Sequence, residues 1–249
     1  MKTITQKLIF KPILLGLFLF IFSCETLELE LLDDPDKISL TQADLNFFLN
    51  SNQVNLARFF QGEINVDGGM SEPGMETTRM IHMFGPLYQN AYTPNQFNGE
   101  WEIAYSTIIS NNRALQPLAE EQEAFQHLGI AQAIEAYVVT TLVDYFGDVP
   151  YSEAVAGVSN PKRDSGNDVY AAMIELLDAA IANLNKESAL SYTSDLFYGG
   201  DSEDWIRFAN TLKLKIYLQS RLVNNDSAAG INAIIQAGNY ITAATHDFQ

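Results

Sequence analysis

Apolar residues recur at spacings of three and four along most of this chain from residue 41 onward. That spacing is typical of amphipathic α-helices, because one helical turn takes about 3.6 residues. It predicts helices over 41–60, 100–118, 121–146, 167–184, 202–223 and 231–237. No alternating strand pattern extends over more than a few residues, so we predict an all-α fold.

The residues that flank these stretches supply helix-ending signals. Thr41, Asn98 and Ser202 are the predicted N-caps, and Gly147 followed by Pro150 is expected to end the helix over 121–146. Helices joined by turns favour stacked antiparallel pairs of the tetratricopeptide kind, although a regular repeat spacing is absent.

The helical periodicity stops between residues 61 and 99, where glycine and proline are frequent. Loops of this length in compact proteins are either disordered or functional. This one is rich in aromatic residues and methionine, which disordered segments lack, so we predict an ordered loop that lines a binding site. Rings beside planar polar groups suit a sugar, whose C–H face stacks on an aromatic side chain while its hydroxyls need polar partners.

The candidate ligand-binding residues are therefore the loop's aromatic, amide and basic side chains. They are Arg79, Phe84, Tyr88, Gln89, Asn90, Tyr92, Asn95 and Phe97. The alternative is that these rings only attach the long loop to the helices, since aromatic side chains dominate burial in general.

The N-terminal residues carry an export signal. Three lysines and no acidic residue precede an apolar run of 11 residues over 13–23, within the length of a signal peptide and too short to span a bilayer. We predict a signal peptide over 1–23, lipidation of Cys24, and an acidic tether over 24–40. Cys24 is the only cysteine, which excludes an intrachain disulfide.

The formal charge is −17, and removing the signal peptide would make it −20. Such a chain should be repelled by nucleic acid and by anionic lipid head groups. The histidines show no metal-ligand spacing, and neither a nucleophilic triad nor a phosphate loop is present, so no cofactor is expected. Asp144 and Asp148 suggest a catalytic pair, but a turn in which Asp148 bonds nearby backbone amides is the preferred interpretation.

Three segments, 101–113, 133–154 and 205–215, resemble the SusD/RagB family of nutrient-binding outer-membrane lipoproteins. The most specific is the turn Phe-Gly-Asp-Val-Pro-Tyr at 146–151, which includes Gly147, Asp148, Pro150 and Tyr151. The resemblance implies stacked tetratricopeptide-like helix pairs over 41–249, with no enzymatic activity. It also implies that the protein is a lid on a SusC-like TonB-dependent outer-membrane transporter. The lid captures an oligosaccharide or another nutrient.

The resemblance carries two further expectations. An acidic stretch after the lipidated cysteine is similar to the signal that sends Bacteroidetes lipoproteins to the cell exterior. Family members continue considerably beyond residue 249, so we expect this sequence to be the N-terminal portion of such a protein. A protein-binding helical scaffold and a surface glycosidase that uses two carboxylates remain the alternatives.

Overall fold

The helices of this chain are seen in a computed structural model, which describes residues 44–61, 69–82 and 92–248. These residues belong to one compact unit, Leu40–Gln249. The predicted signal peptide 1–23, the lipidated Cys24, most of the acidic tether and the Thr41 cap lie outside the described residues and stay predictions.

Seven α-helical elements follow one another in the described ranges. They are α1 (Leu45–Gln61), α2 (Ser71–Thr77), α3 (98–121), α4 (Phe125–Phe146), α5 (Gly166–Leu184), α6 (Ser202–Ser220) and α7 (Ser227–Ala237). Short 3-10 turns at Pro94–Phe97 and Ala244–His246 complete them. The described residues contain no β-strand, only one antiparallel bridge between Val149 and Asp164. The predicted all-α fold is confirmed.

Helix α4 forms the centre of the domain and contacts α1, α3, α5 and α6. Apolar residues occur on every side of this helix, as expected for a helix surrounded by others, and 16 of its 22 residues are buried. At Gly129 a Cβ atom would lie 2.6 Å from Leu184 Cγ and 2.9 Å from the Ala180 carbonyl oxygen of α5. Glycine here allows α4 and α5 to approach closely. No helix in the described ranges has the length and apolar character needed to cross a membrane.

Two of the predicted N-caps are wrong. Asn98 is itself helical, because the 3-10 turn Pro94–Phe97 runs directly into α3 and Thr93 caps that turn. Helix α6 is capped by Asp201, whose Oδ1 accepts from the backbone amides of Glu203 (2.8 Å) and Asp204 (3.2 Å). A carboxylate at this position also interacts favourably with the helix dipole, which the neighbouring Ser202 cannot match.

The predicted loop between residues 61 and 99 is also more regular than its sequence indicates, because it contains α2 and one 3-10 turn. Helix α3 is less regular than predicted: a π-helical segment, Ile103–Ile109, separates the α-helical parts Asn98–Glu102 and Ser110–Glu121. Segments of π-helix are rare and frequently accompany functional sites. This one lies beside the aromatic side chains described next.

Candidate functional site

Five aromatic side chains lie side by side in a row, each in contact with the next, where the start of α3 meets the end of α4. We call Tyr92, Phe97, Phe146, Trp101 and Tyr105 the aromatic row. Successive ring centres lie 5.7, 5.3, 5.1 and 5.3 Å apart, and the last pair is nearly parallel, at 7°. All five side chains are only partly buried, so part of each ring is open to solvent.

Hydrogen bonds fix both ends of the aromatic row. The Tyr92 hydroxyl donates to the buried carboxylate of Glu76 on α2, and the Tyr105 hydroxyl donates to the Pro150 carbonyl oxygen at 2.7 Å. Burial raises the pKa of Tyr92 well above its usual value, and Glu76 adds to the effect. Burial also raises the pKa of Tyr105. Both hydroxyls are protonated at neutral pH, and their hydrogen bonds hold the two rings in place.

The structure brings two of the predicted ligand-binding residues together, since Tyr92 and Phe97 are neighbours in the aromatic row. Asn95 is exposed in the 3-10 turn that also contains Phe97. Arg79 is exposed after α2, with a positive φ of 62°. The remaining candidates lie outside the described residues and are Phe84, Tyr88, Gln89 and Asn90.

Sequence reasoning missed the other three members of the aromatic row. Trp101 and Tyr105 fall within the predicted helix 100–118, and Phe146 is the last residue of the predicted helix 121–146. Helical periodicity shows which side of a helix packs inward, but it does not show that a ring near the helix end stays half-exposed. The available signal was the spacing of four between Trp101 and Tyr105, which places both rings on one helix face.

The turn at 146–151 leads from α4 toward α5. Gly147 has a φ of +75°, a conformation that favours glycine. Asp148 was expected to bond amides of its own turn; instead its Oδ1 accepts from the backbone amide of Gly166, at the start of α5, at 3.0 Å. Asp148 therefore connects the turn to the next helix.

The amides of this turn are bound by Asp164, which sequence reasoning did not single out. Its carboxylate accepts from the backbone amides of Tyr151 (2.9 Å) and Ser152 (2.7 Å) and from the Ser152 hydroxyl (2.8 Å). The hydrogen bond from the Ser152 amide is the largest cause of the lowered pKa of Asp164. Asp164 thus has the role that the sequence assigned to Asp148.

A buried carboxylate attaches the same turn to the helices. Glu135 on α4 accepts from Arg113 at 3.1 Å, from Gln116 at 3.3 Å and from the Tyr151 hydroxyl at 3.0 Å. The Arg113 guanidinium carbon also lies 5.3 Å from the centre of the Tyr151 ring. Burial raises the pKa of Glu135, while the charge of Arg113 opposes that rise.

The other acidic side chain of the suggested catalytic pair, that of Asp144, is engaged in internal contacts. Asp144 accepts hydrogen bonds from the Tyr170 hydroxyl of α5 and from Lys215 of α6. Within the described ranges, no group of three or more histidine, cysteine, aspartate or glutamate side chains could hold a metal ion.

The stacked helices form an all-α, tetratricopeptide-like domain. This domain leaves the aromatic row partly exposed. A family model described as SusD-like, starch-binding associating with outer membrane, matches residues 37–247. This chain therefore belongs to the SusD-like family, as its resemblance to SusD/RagB proteins predicts. No curated protein matches the sequence.

Solved structures of SusD-like proteins share the fold. A SusD/RagB family protein from Bacteroides thetaiotaomicron VPI-5482 is 24% identical, with a TM-score of 0.58 over 82% of this chain and 43% of its own. A chitin-binding protein is 23% identical, with a TM-score of 0.65 over 82% of this chain and 45% of its own. A SusD homolog from Bacteroides vulgatus ATCC 8482 is 15% identical, with a TM-score of 0.66 over 83% of this chain and 46% of its own. This chain thus spans less than half the length of these structures.

Proposed function

We propose that this chain is part of a surface-exposed, nutrient-binding lipoprotein that captures an oligosaccharide for a TonB-dependent outer-membrane importer and acts as its lid. The observation that carries this proposal is the aromatic row, half-exposed within a SusD-like fold. Relatives that bind starch or chitin support a glycan as the ligand.

The aromatic row suits a sugar because its rings are held before any ligand arrives. A pyranose presents a C–H face that packs against an aromatic ring, and the loop adds hydrogen-bonding groups for its hydroxyls. Tyr92 and Tyr105 each have their hydroxyl bound to the protein. Less side-chain entropy is then lost on binding, which favours affinity. In this proposal Arg79, Gln89 and Asn95 supply polar contacts, and Phe84 and Tyr88 supply further rings.

Replacing Tyr92 with alanine is expected to weaken oligosaccharide binding roughly tenfold, about 1.4 kcal/mol, because one stacking surface is lost. Tyr88→Ala should act in the same direction. Isothermal titration calorimetry with starch- and chitin-derived oligosaccharides measures the affinity. Tyr92→Phe is the matched control, since it keeps the ring and removes only the hydrogen bond to Glu76. Unchanged affinity in both alanine variants would contradict this assignment.

The proposed anchor and partner can be tested together. We expect the mature chain to co-purify from detergent-solubilised outer membranes with a SusC-like TonB-dependent transporter. Cys24→Ser removes the thiol that carries the lipid and should release the chain from the membrane, because each buried acyl methylene contributes about 0.8 kcal/mol. Consistent absence of a barrel from the purified wild-type complex would count against the lid role. Release of a cleaved glycan during titration would instead favour the glycosidase alternative.

A further inference from the structure

A cavity of about 310 Å³ opens between α1, α4 and the C-terminal end of the described chain. It shares no residue with the aromatic row. Its lining residues are Leu56, Ala57, Phe60, Gln61, Ser71, Tyr137, Phe197 and Phe248. They come from segments far apart in the sequence, so the cavity exists only in the folded domain.

Two stacked pairs of aromatic rings form much of the lining. Phe60 and Tyr137 lie 4.7 Å apart between ring centres, and Phe197 and Phe248 lie 4.1 Å apart. The two pairs meet where Tyr137 and Phe248 make an edge contact at 6.0 Å. All four side chains are partly buried, so they are fixed by the fold and still reachable from solvent.

Three polar groups complete the lining: the Tyr137 hydroxyl, the Gln61 carboxamide and the Ser71 hydroxyl. None of the three makes a side-chain hydrogen bond to another residue in the described part of the chain. The Tyr137 hydroxyl is a hydrogen-bond donor at neutral pH, and burial raises its pKa further. None of the lining residues carries a charge.

We propose that this cavity binds one neutral sugar ring. An apolar ligand would bury the three polar groups without partners, which costs about 1–3 kcal/mol for each group. A charged sugar would lose water and find no opposite charge. A neutral ring offers a C–H face to the aromatic pairs and hydroxyls to the polar groups. The volume is at the small end of ligand pockets, about 300–1,000 Å³, which favours one ring over a long chain.

The site can be tested by saturation-transfer difference NMR on the purified full chain, with methyl glucoside and N-acetylglucosamine as neutral probes. Ala57 is an exposed residue on α1, so Ala57→Trp fills the cavity without disturbing the core and should abolish the binding that belongs to the cavity. Tyr137→Phe keeps the ring and removes the hydroxyl, which should weaken binding roughly three- to tenfold. Glucuronate and glucosamine should show no saturable binding.

Tyr92→Ala, in the aromatic row, is the control that separates this site from the proposed capture surface. Binding of the single-ring probes to the aromatic row should fall in this variant, whereas their saturable binding in the cavity should persist and should be lost when Ala57→Trp is added. Loss of binding in Tyr92→Ala with normal binding in Ala57→Trp would place the sugar on the aromatic row, which supports the proposed function and overturns the cavity site. Wild-type binding in both Ala57→Trp and Tyr137→Phe, or no saturable binding by the wild type, also overturns it. Circular dichroism confirms that each variant is folded.

Discussion

Replacing Asp195 with alanine is expected to lower the free energy of unfolding by about 3–5 kcal/mol. This buried carboxylate lies in the segment before α6 and accepts from the side chains of Gln53 (2.7 Å) and Trp205 (2.8 Å). It also accepts from three backbone amides, those of Phe197, Tyr198 and Gly200. Each buried donor that loses its acceptor costs about 1–3 kcal/mol.

Urea unfolding followed by circular dichroism measures this loss, with the dependence on urea expected to stay unchanged. Asp226→Ala is the matched control: Asp226 is exposed and its side chain does not cap α7, so its loss should stay within about 0.5 kcal/mol. The stability loss of Asp195→Asn should lie between those of the two alanine variants. The asparagine keeps one acceptor oxygen but turns an amide group toward other donors. A loss below about 1 kcal/mol for Asp195→Ala would contradict its assigned role.

The importance of Asp195 could not be predicted from the sequence, because the group it bonds on α1 is distant along the chain. Gln53 is 142 residues away, and periodicity reports only which face of each helix is apolar. Gln53 is fully buried although its type is usually exposed, since its carboxamide also accepts from the Leu196 amide at 2.8 Å. Such partners become visible only when the helices are assembled.

The long helices were predictable because their apolar positions repeat over many turns. α4 and α5 lie where their periodicity places them, within a residue or a few at each end. Helix ends were less predictable, because several neighbouring residues can cap. Asp201 and Ser202 both have suitable side chains, and only the backbone geometry decides that Asp201 accepts the amides.

The candidate site was predictable only in part for a related reason. The composition of the loop indicates Tyr92 and Phe97, and the structure joins these rings to Phe146 and Trp101. Those last two residues belong to regular helices, where sequence patterns indicate packing rather than binding. Whether an aromatic ring is buried or half-exposed depends on how the helix ends meet, which is a tertiary property.

Replacing Arg113 with methionine is expected to lower the free energy of unfolding by about 2–3 kcal/mol at neutral pH. The Glu135 side chain that it pairs with is only 1% exposed, so the variant leaves a buried carboxylate without its cation. Breaking a fully buried pair in this way costs about 3–5 kcal/mol; the smaller value reflects the 40% exposure of the Arg113 side chain, where water already screens the interaction. Urea unfolding at several pH values measures the loss.

The loss should shrink as the pH is lowered. Burial already raises the pKa of Glu135 in the folded protein, and removing Arg113 takes away the charge that opposes this rise. A carboxyl group whose folded pKa is raised binds its proton more tightly in the folded state. Its contribution to stability is therefore complete below the unfolded pKa, about 4.3, and is lost as the pH rises through the folded pKa. The difference between variant and wild type isolates this effect from the other carboxylates.

Arg113→Met combined with Glu135→Leu should recover most of the lost stability, because an apolar pair leaves no charge in the core. Recovery should be incomplete by about 1 kcal/mol, since Tyr151 and Gln116 lose the carboxylate that accepts their hydrogen bonds. The double variant should also lose the pH dependence of the single variant. If the double variant is as unstable as Arg113→Met alone, packing of the arginine side chain, and not the unpaired carboxylate, determines the loss.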